Sequence, residues 1–174
     1  MSSDQKLPAK GRPPDELYRA LGHVVFAFGQ LDEALHDALW MALGKKDECR
    51  ILTSGMRFPQ LVERFRAIYS RFSNEGSGES GVDAICGELT QLNQERNRDI
   101  HALWGFWAET GKPVRTQRPL KRGALGLKME TVDPANLFAL AQKMEGVTDK
   151  IFEIMLDFDR QNRSTRNLDA SIIE

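Results

Sequence analysis

Between residues 14 and 43 the apolar residues Leu17, Leu21, Val24, Phe28, Leu31, Leu35, Ala38 and Ala42 recur at steps of three and four. That spacing puts them on one side of a helix with 3.6 residues per turn, so the segment reads as a single amphipathic helix. Pro13-Pro14 stands at its start, where a missing N–H costs nothing, and Gly44 at its end, with Lys45-Lys46 near the negative pole of the dipole. Such a helix is about 45 Å long at 1.5 Å per residue. No short element covers an apolar stripe of that length, so the chain must supply a helical bundle, a second copy of itself, or both.

Three more segments repeat the pattern. Phe58, Leu61, Phe65, Ile68 and Phe72 predict a helix over 58–72, with Pro59 in its first turn. After a Gly/Ser-rich stretch at 73–81, Val82, Ile85, Leu89 and Leu92 predict a helix beginning near Val82. Asp133-Pro134 is a helix start, and Leu137, Leu140, Met144, Val147, Ile151, Met155 and Phe158 carry the last helix to about Arg160. Residues 161–174 read as a frayed tail. Between the third and last helices, Gly111, Pro113, Pro119, Gly123 and Gly126 exclude a long helix. Residues 104–131 therefore read as an inserted β-hairpin or small antiparallel ribbon. The fold class expected is mainly α: about four helices in a bundle, a long first helix, and a hairpin before the last. The expected organisation is one domain over residues 1–160, with no internal repeat.

Composition narrows the function. A net charge of −1 gives no global pull toward nucleic acid or anionic lipid, so any such binding needs a local patch. Two cysteines, Cys49 and Cys86, without a CxxC or Cys/His cluster, argue against a disulfide scaffold and a structural zinc site. Cys86, between apolar neighbours, reads as a small core residue. The polar N-terminus has no apolar signal core, and the longest apolar run, 24–28, is far below the ~20 residues of a membrane span. The expected location is the cytoplasm, with no membrane partner.

The third helix carries the chemistry. Its stripe continues from Leu92 to Arg96, a charged residue where the core face would go on, within the string Arg96-Asn97-x-x-x-His101. Arginine presents a planar fork of donors matching two phosphate oxygens. Histidine, with an unperturbed pKa near ~6.5, exchanges protons near neutrality, and asparagine orients either group through its amide. The trio suits metal-free cleavage of RNA: a base takes the 2′-OH proton, the oxygen attacks the adjacent phosphate, and a cation stabilises the developing charge. No compact carboxylate or histidine cluster suggests a metal or other cofactor. Five residues turn about 140° around a straight helix, however. Arg96 and His101 meet only if the helix breaks between them or if two copies pool their motifs.

Arg96-Asn97-x-x-x-His101 at the end of a helix, in a chain dominated by helices, resembles the HEPN superfamily and its R-x4–6-H motif. The resemblance implies an α-helical bundle, homodimerisation and a composite site built by both protomers. In active members that site is a metal-independent endoribonuclease leaving a 2′,3′-cyclic phosphate; many members are inactive binders. It also implies RNA as substrate, a toxin–antitoxin or antiviral setting, and, for a toxin, a nucleotidyltransferase-like antitoxin as partner. Only Arg96, Asn97 and His101 match a specific motif, and the insertion at 104–131 departs from the simplest four-helix plan.

Other signals have two readings each. Lys112, Arg115, Arg118, Lys121, Arg122 and Lys128 fall in a stretch without an acid. With Arg98, the arginines and Lys121 are candidate RNA contacts; the alternative is a solvated hairpin. Trp104, Phe106 and Trp107 are base-stacking platforms or core residues. His23 and His36, thirteen residues apart on the first helix, read as structural, and Asp32 and Glu33 as lining a cleft. Arg96 has the competing reading of a surface ion-pair partner of Asp99, and His101 that of an ordinary buried histidine. A non-catalytic binding module and a structural oligomer stand beside the nuclease as alternatives.

Overall fold

The computed structural model describes residues 13–70, 81–117 and 128–171. Among them are five helices and one three-stranded antiparallel sheet: α1 (Asp15–Ala42), α2 (Asp47–Thr53), α3 (Phe58–Tyr69), α4 (Gly81–Ile100), β1 (Leu103–Phe106), β2 (Pro113–Gln117), β3 (Lys128–Thr131) and α5 (Pro134–Ser171). The fold is mainly α, with the sheet inserted before the last helix as expected. None of the described helices is long and apolar enough to cross a membrane.

Local chemistry accounts for the boundaries. Gly44 and Lys45 adopt φ of 84° and 62°. This left-handed turn lets the Lys45 amide donate to the Trp40 carbonyl (2.9 Å) and the Gly44 amide to Met41 (3.1 Å), which satisfies the last carbonyls of α1. At α3, the Gln60 side chain accepts from the Arg57 amide at 2.8 Å. Asp133 caps α5 by accepting from the Ala135 amide at 2.9 Å.

Three expectations are corrected and one is sharpened. Helix α2 has no counterpart in the sequence reading. It is seven residues long and buries only Thr53, so it has no stripe from which a period could be read. Helix α3 closes at Tyr69, capped by the Ser70 amide donating to Arg66, rather than continuing to 72; residues 71 and 72 lie outside the described residues. The inserted element, expected as a β-hairpin or small antiparallel ribbon, is a three-stranded antiparallel sheet, with Leu103 opposite Thr116, Gly105 opposite Val114 and Arg115 opposite Glu130. Helix α5 runs to Ser171, past Arg160 and through the segment expected to fray; no glycine or proline stands between Arg160 and Ser171 to stop it.

The chain divides into two compact units. Unit 1 comprises Met1–Ala27 and Gln94–Gln142; unit 2 comprises Phe28–Asn93 and Lys143–Glu174. Helices α1, α4 and α5 contribute to both. In unit 2, Phe65 stacks on Tyr69 with ring centroids 4.7 Å apart, and Tyr69 meets Phe158 at 5.1 Å. The buried Tyr69 hydroxyl donates to the Ala38 carbonyl at 2.9 Å, which gives its polar tip a partner inside the apolar cluster. Cys86 is buried in the same unit, as expected of a small core residue. In unit 1 the central strand β2 is buried at Pro113, Val114, Arg115 and Thr116 in succession. A strand buried on both sides is ordinarily apolar, so the charge of Arg115 needs a dedicated partner.

Candidate functional site

The motif closes α4. The helix is unbroken through Ile100, and the His101 amide still donates to the Asn97 carbonyl at 3.2 Å. No interruption therefore brings Arg96 and His101 together; within one chain about 140° of helical rotation separates them. Arg96 is half-buried, and its Nη1 donates to Asn97 Oδ1 at 2.9 Å. Asn97 thus orients the guanidinium beside it. His101 is exposed, which overturns the buried-histidine alternative.

The last turn of α4 is gripped by the sheet. Trp104, Arg115 and Glu130 lie in one row across β1, β2 and β3. Two of the three reach Asp99: the Trp104 indole donates to the Asp99 carbonyl at 2.9 Å, and Arg115 Nη1 donates to Asp99 Oδ1. The third, Glu130, accepts from Arg115 Nη2 at 2.7 Å. From the end of β2, Gln117 Nε2 reaches the Arg98 carbonyl at 3.4 Å. Two carbonyls that a helix end leaves without intrahelical donors are met by strand side chains.

Asp99 and Arg115 are both buried, with residue exposures of 1% and 5%. Burial disfavours the charged guanidinium, but the hydrogen bond to Glu130 and the charge and hydrogen bond of Asp99 outweigh it, so Arg115 titrates above an ordinary arginine. In turn Arg115, by its hydrogen bond and its charge, holds the Glu130 carboxyl below the usual glutamate range.

The candidate RNA contacts separate accordingly. Arg115 was expected as a phosphate contact; it is buried on the central strand, and its terminal nitrogens are engaged by the buried Asp99 and the exposed Glu130. Arg98 is half-exposed, with Nε 3.6 Å from Asp99, and turns its guanidinium to the surface beside the motif. Lys112 and Lys128 are exposed. Arg118, Lys121 and Arg122 lie outside the described residues. Trp104 and Trp107 are half-buried; the Trp104 indole serves the end of α4, and the Trp107 indole donates to Thr131 Oγ1 at 2.9 Å within the sheet.

Asp99 is paired with Arg115 and Arg98. What sequence reading missed is this triad. Its one visible sign was an arginine in a strand-like run (Val114-Arg115-Thr116), where alternation alone does not tell a buried charge from an exposed one.

Among the described residues no group of three or more His, Cys, Asp or Glu is placed to hold a metal ion. Asp32 and Glu33 line a groove of about 300 Å³ in unit 2 with His36, Asp37 and Arg50. There His36 Nε2 lies 3.9 Å from Asp32 and Arg50 3.5 Å from Asp37. His23 is exposed, with its ring edge-on to Phe138 at 5.2 Å.

Comparison with family models, with curated proteins and with solved structures gives no match.

Proposed function

We propose that this chain is a metal-independent endoribonuclease of the HEPN type that acts as a homodimer. The observation that carries the reading is the end of α4: an Arg96–Asn97 pair and an exposed imidazole at His101, held by Asp99 and Arg115 on a rigid support. His101 takes the proton from a ribose 2′-OH, and the oxygen attacks the adjacent phosphorus. Arg96 stabilises the charge on the phosphate oxygens while the P–O5′ bond breaks and the 5′-oxygen takes a proton from water, the His101 imidazolium returning its own to solvent. The products are a 2′,3′-cyclic phosphate and a free 5′-OH. Because the unbroken helix keeps Arg96 and His101 of one chain apart, the imidazole of one protomer works with the guanidinium of the other.

The resemblance supports a toxin-like or antiviral role in the cytoplasm, with a nucleotidyltransferase-like antitoxin as a natural partner. The test is incubation of the purified chain with end-labelled RNA in excess EDTA. Cyclic-phosphate fragments are expected, and His101→Ala must abolish them; equal cutting by the variant defeats the assignment. A second reading is a non-catalytic binding module: Arg98, Lys112 and Lys128 remain exposed and able to meet a phosphate backbone whether or not the motif cuts. That reading predicts RNA retention without cleavage.

A further inference from the structure

We propose that the outer face of α1, centred on Phe26, is the surface through which two copies of this chain pair antiparallel about a twofold axis. From Ala20 to Leu31 the helix carries no aspartate, glutamate, lysine or arginine. A surface helix normally turns a charged face to water, whereas this stretch turns Val25, Phe26 and two glycines outward, with the polar His23 and Gln30 exposed along one edge. Here the inner face is buried at Ala20, Val24, Ala27 and Leu31. The opposite face leaves Phe26 65% exposed, and Tyr18 and Val25 51% each.

Two glycines on that face point the same way. Gly22 and Gly29 flank Phe26, one turn before and one turn after. A Cβ built on either meets nothing within 4 Å, so the chain's own packing does not ask for glycine. Nor does the backbone, since the glycines with positive φ are Gly44 and Gly111. Glycine inside a helix is less stable than alanine by about 0.5–1 kcal/mol. What rewards it is close approach by another backbone, with hollows that receive a neighbour's side chain.

Charge identifies the neighbour. Arg19 lies seven residues before Phe26 and Glu33 seven after, and both are exposed. Seven residues are two turns, within about 20° of the same direction. Since α1 is one uninterrupted helix, these spacings are properties of the helix itself. An antiparallel pairing about Phe26 sets Arg19 opposite Glu33 of the partner subunit, twice by symmetry, and seats each Phe26 ring by the glycine hollows across the axis. A parallel pairing would oppose Arg19 to Arg19. A lipid surface would prefer basic flanks, whereas Asp15, Glu16, Asp32 and Glu33 flank this face. The pairing is argued from α1 alone and stands whether or not the chain cleaves RNA.

The experiment is sedimentation velocity of the full chain over a concentration range, with circular dichroism as the control for folding. The wild type is expected to sediment as a dimer, and Phe26→Lys to raise the dissociation constant ~30-fold or more, as loss of an interface hot spot does. Should Phe26→Lys fail to fold, Gly22→Leu takes its place: it favours the helix yet fills the hollow, and must weaken the dimer likewise. Arg19→Glu and Glu33→Arg each weaken pairing, and the double variant restores it. A monomeric wild type, whether or not it binds anionic vesicles, overturns the proposal. So does a dimer indifferent to Phe26→Lys and Gly22→Leu, or a double variant no tighter than the single ones. Failure of the nuclease reading is separate: it shows as a His101→Ala chain that cuts as well as wild type, whatever the dimer does, whereas failure of the pairing shows in sedimentation alone.

Discussion

Arg115 and Asp99 form a buried ion pair that ties the middle strand of the sheet to the last turn of α4, with Glu130 on the other branch of the same guanidinium. Removing one partner of such a pair leaves an uncompensated buried charge, at about 3–5 kcal/mol. Asp99→Ala and Arg115→Ala are therefore expected to lose stability of that order in urea denaturation. Replacing both by apolar residues of similar volume, Asp99→Leu with Arg115→Met, recovers most of it. A loss below ~1 kcal/mol for either single variant would show that the pair does not hold the turn.

Glu130 gives the same triad a pH dependence. Its carboxyl titrates below the usual glutamate range because Arg115 bonds it, so the unfolded chain binds the proton first as pH falls. The contribution to stability is complete above the ordinary glutamate value and is lost as pH drops through the lower, folded value. Unfolding free energy measured from neutral pH to the acid side should fall less steeply in Glu130→Gln than in the wild type. Identical slopes would remove Glu130 from the linkage.

Tyr69 titrates in the opposite sense. Burial pushes its phenol well above the ordinary tyrosine range. Its contribution is present below the unfolded value and declines as pH rises past it, so phenolate absorbance from Tyr69 should appear only as unit 2 unfolds. Tyr69→Phe, which removes the hydroxyl that donates to the Ala38 carbonyl, is expected to cost about 1 kcal/mol. A phenolate signal from Tyr69 in the folded protein would contradict the burial.

At the motif the expected effects are on rate rather than stability. His101 is exposed, so His101→Ala should leave unfolding within ~0.5 kcal/mol of wild type while lowering cleavage by ~10²-fold or more. Arg96→Lys keeps the charge but loses the fork that Asn97 orients, and should fall nearly as far. Arg98→Ala should weaken RNA binding evenly across sequences and reduce the salt slope by ~1. Arg98→Ala variants with unchanged salt dependence would exclude Arg98 as a phosphate contact.

How legible the molecule is in its sequence depends on the length of each signal. The stripes of α1, α4 and α5 run for many turns, and their class and approximate starts follow from spacing alone. Helix α2 has under two turns and no buried stripe, and the third strand of the sheet is four residues long, too short for alternation to register. The motif was legible as a set of residue types, because Arg96, Asn97 and His101 lie close together in the chain. The support behind it was not: Asp99 and Arg115 are separated by sixteen residues and meet only through the register that sets Trp104, Arg115 and Glu130 in one row. Pairing across strands is a tertiary fact, and a basic residue in a short strand carries no mark of which way it faces.

Only His101 and Ala102 stand between the last residue of α4 and the first of β1. The imidazole is thus mounted on a short link between two stiff pieces, and its freedom to swing is set by how firmly each end is pinned. Loosening either anchor widens the arc the ring explores and thins the fraction of time it spends in a reactive pose. Substitutions several ångströms away, at Trp104 or Gln117, would then act as tuning screws on catalytic efficiency without touching a reacting atom.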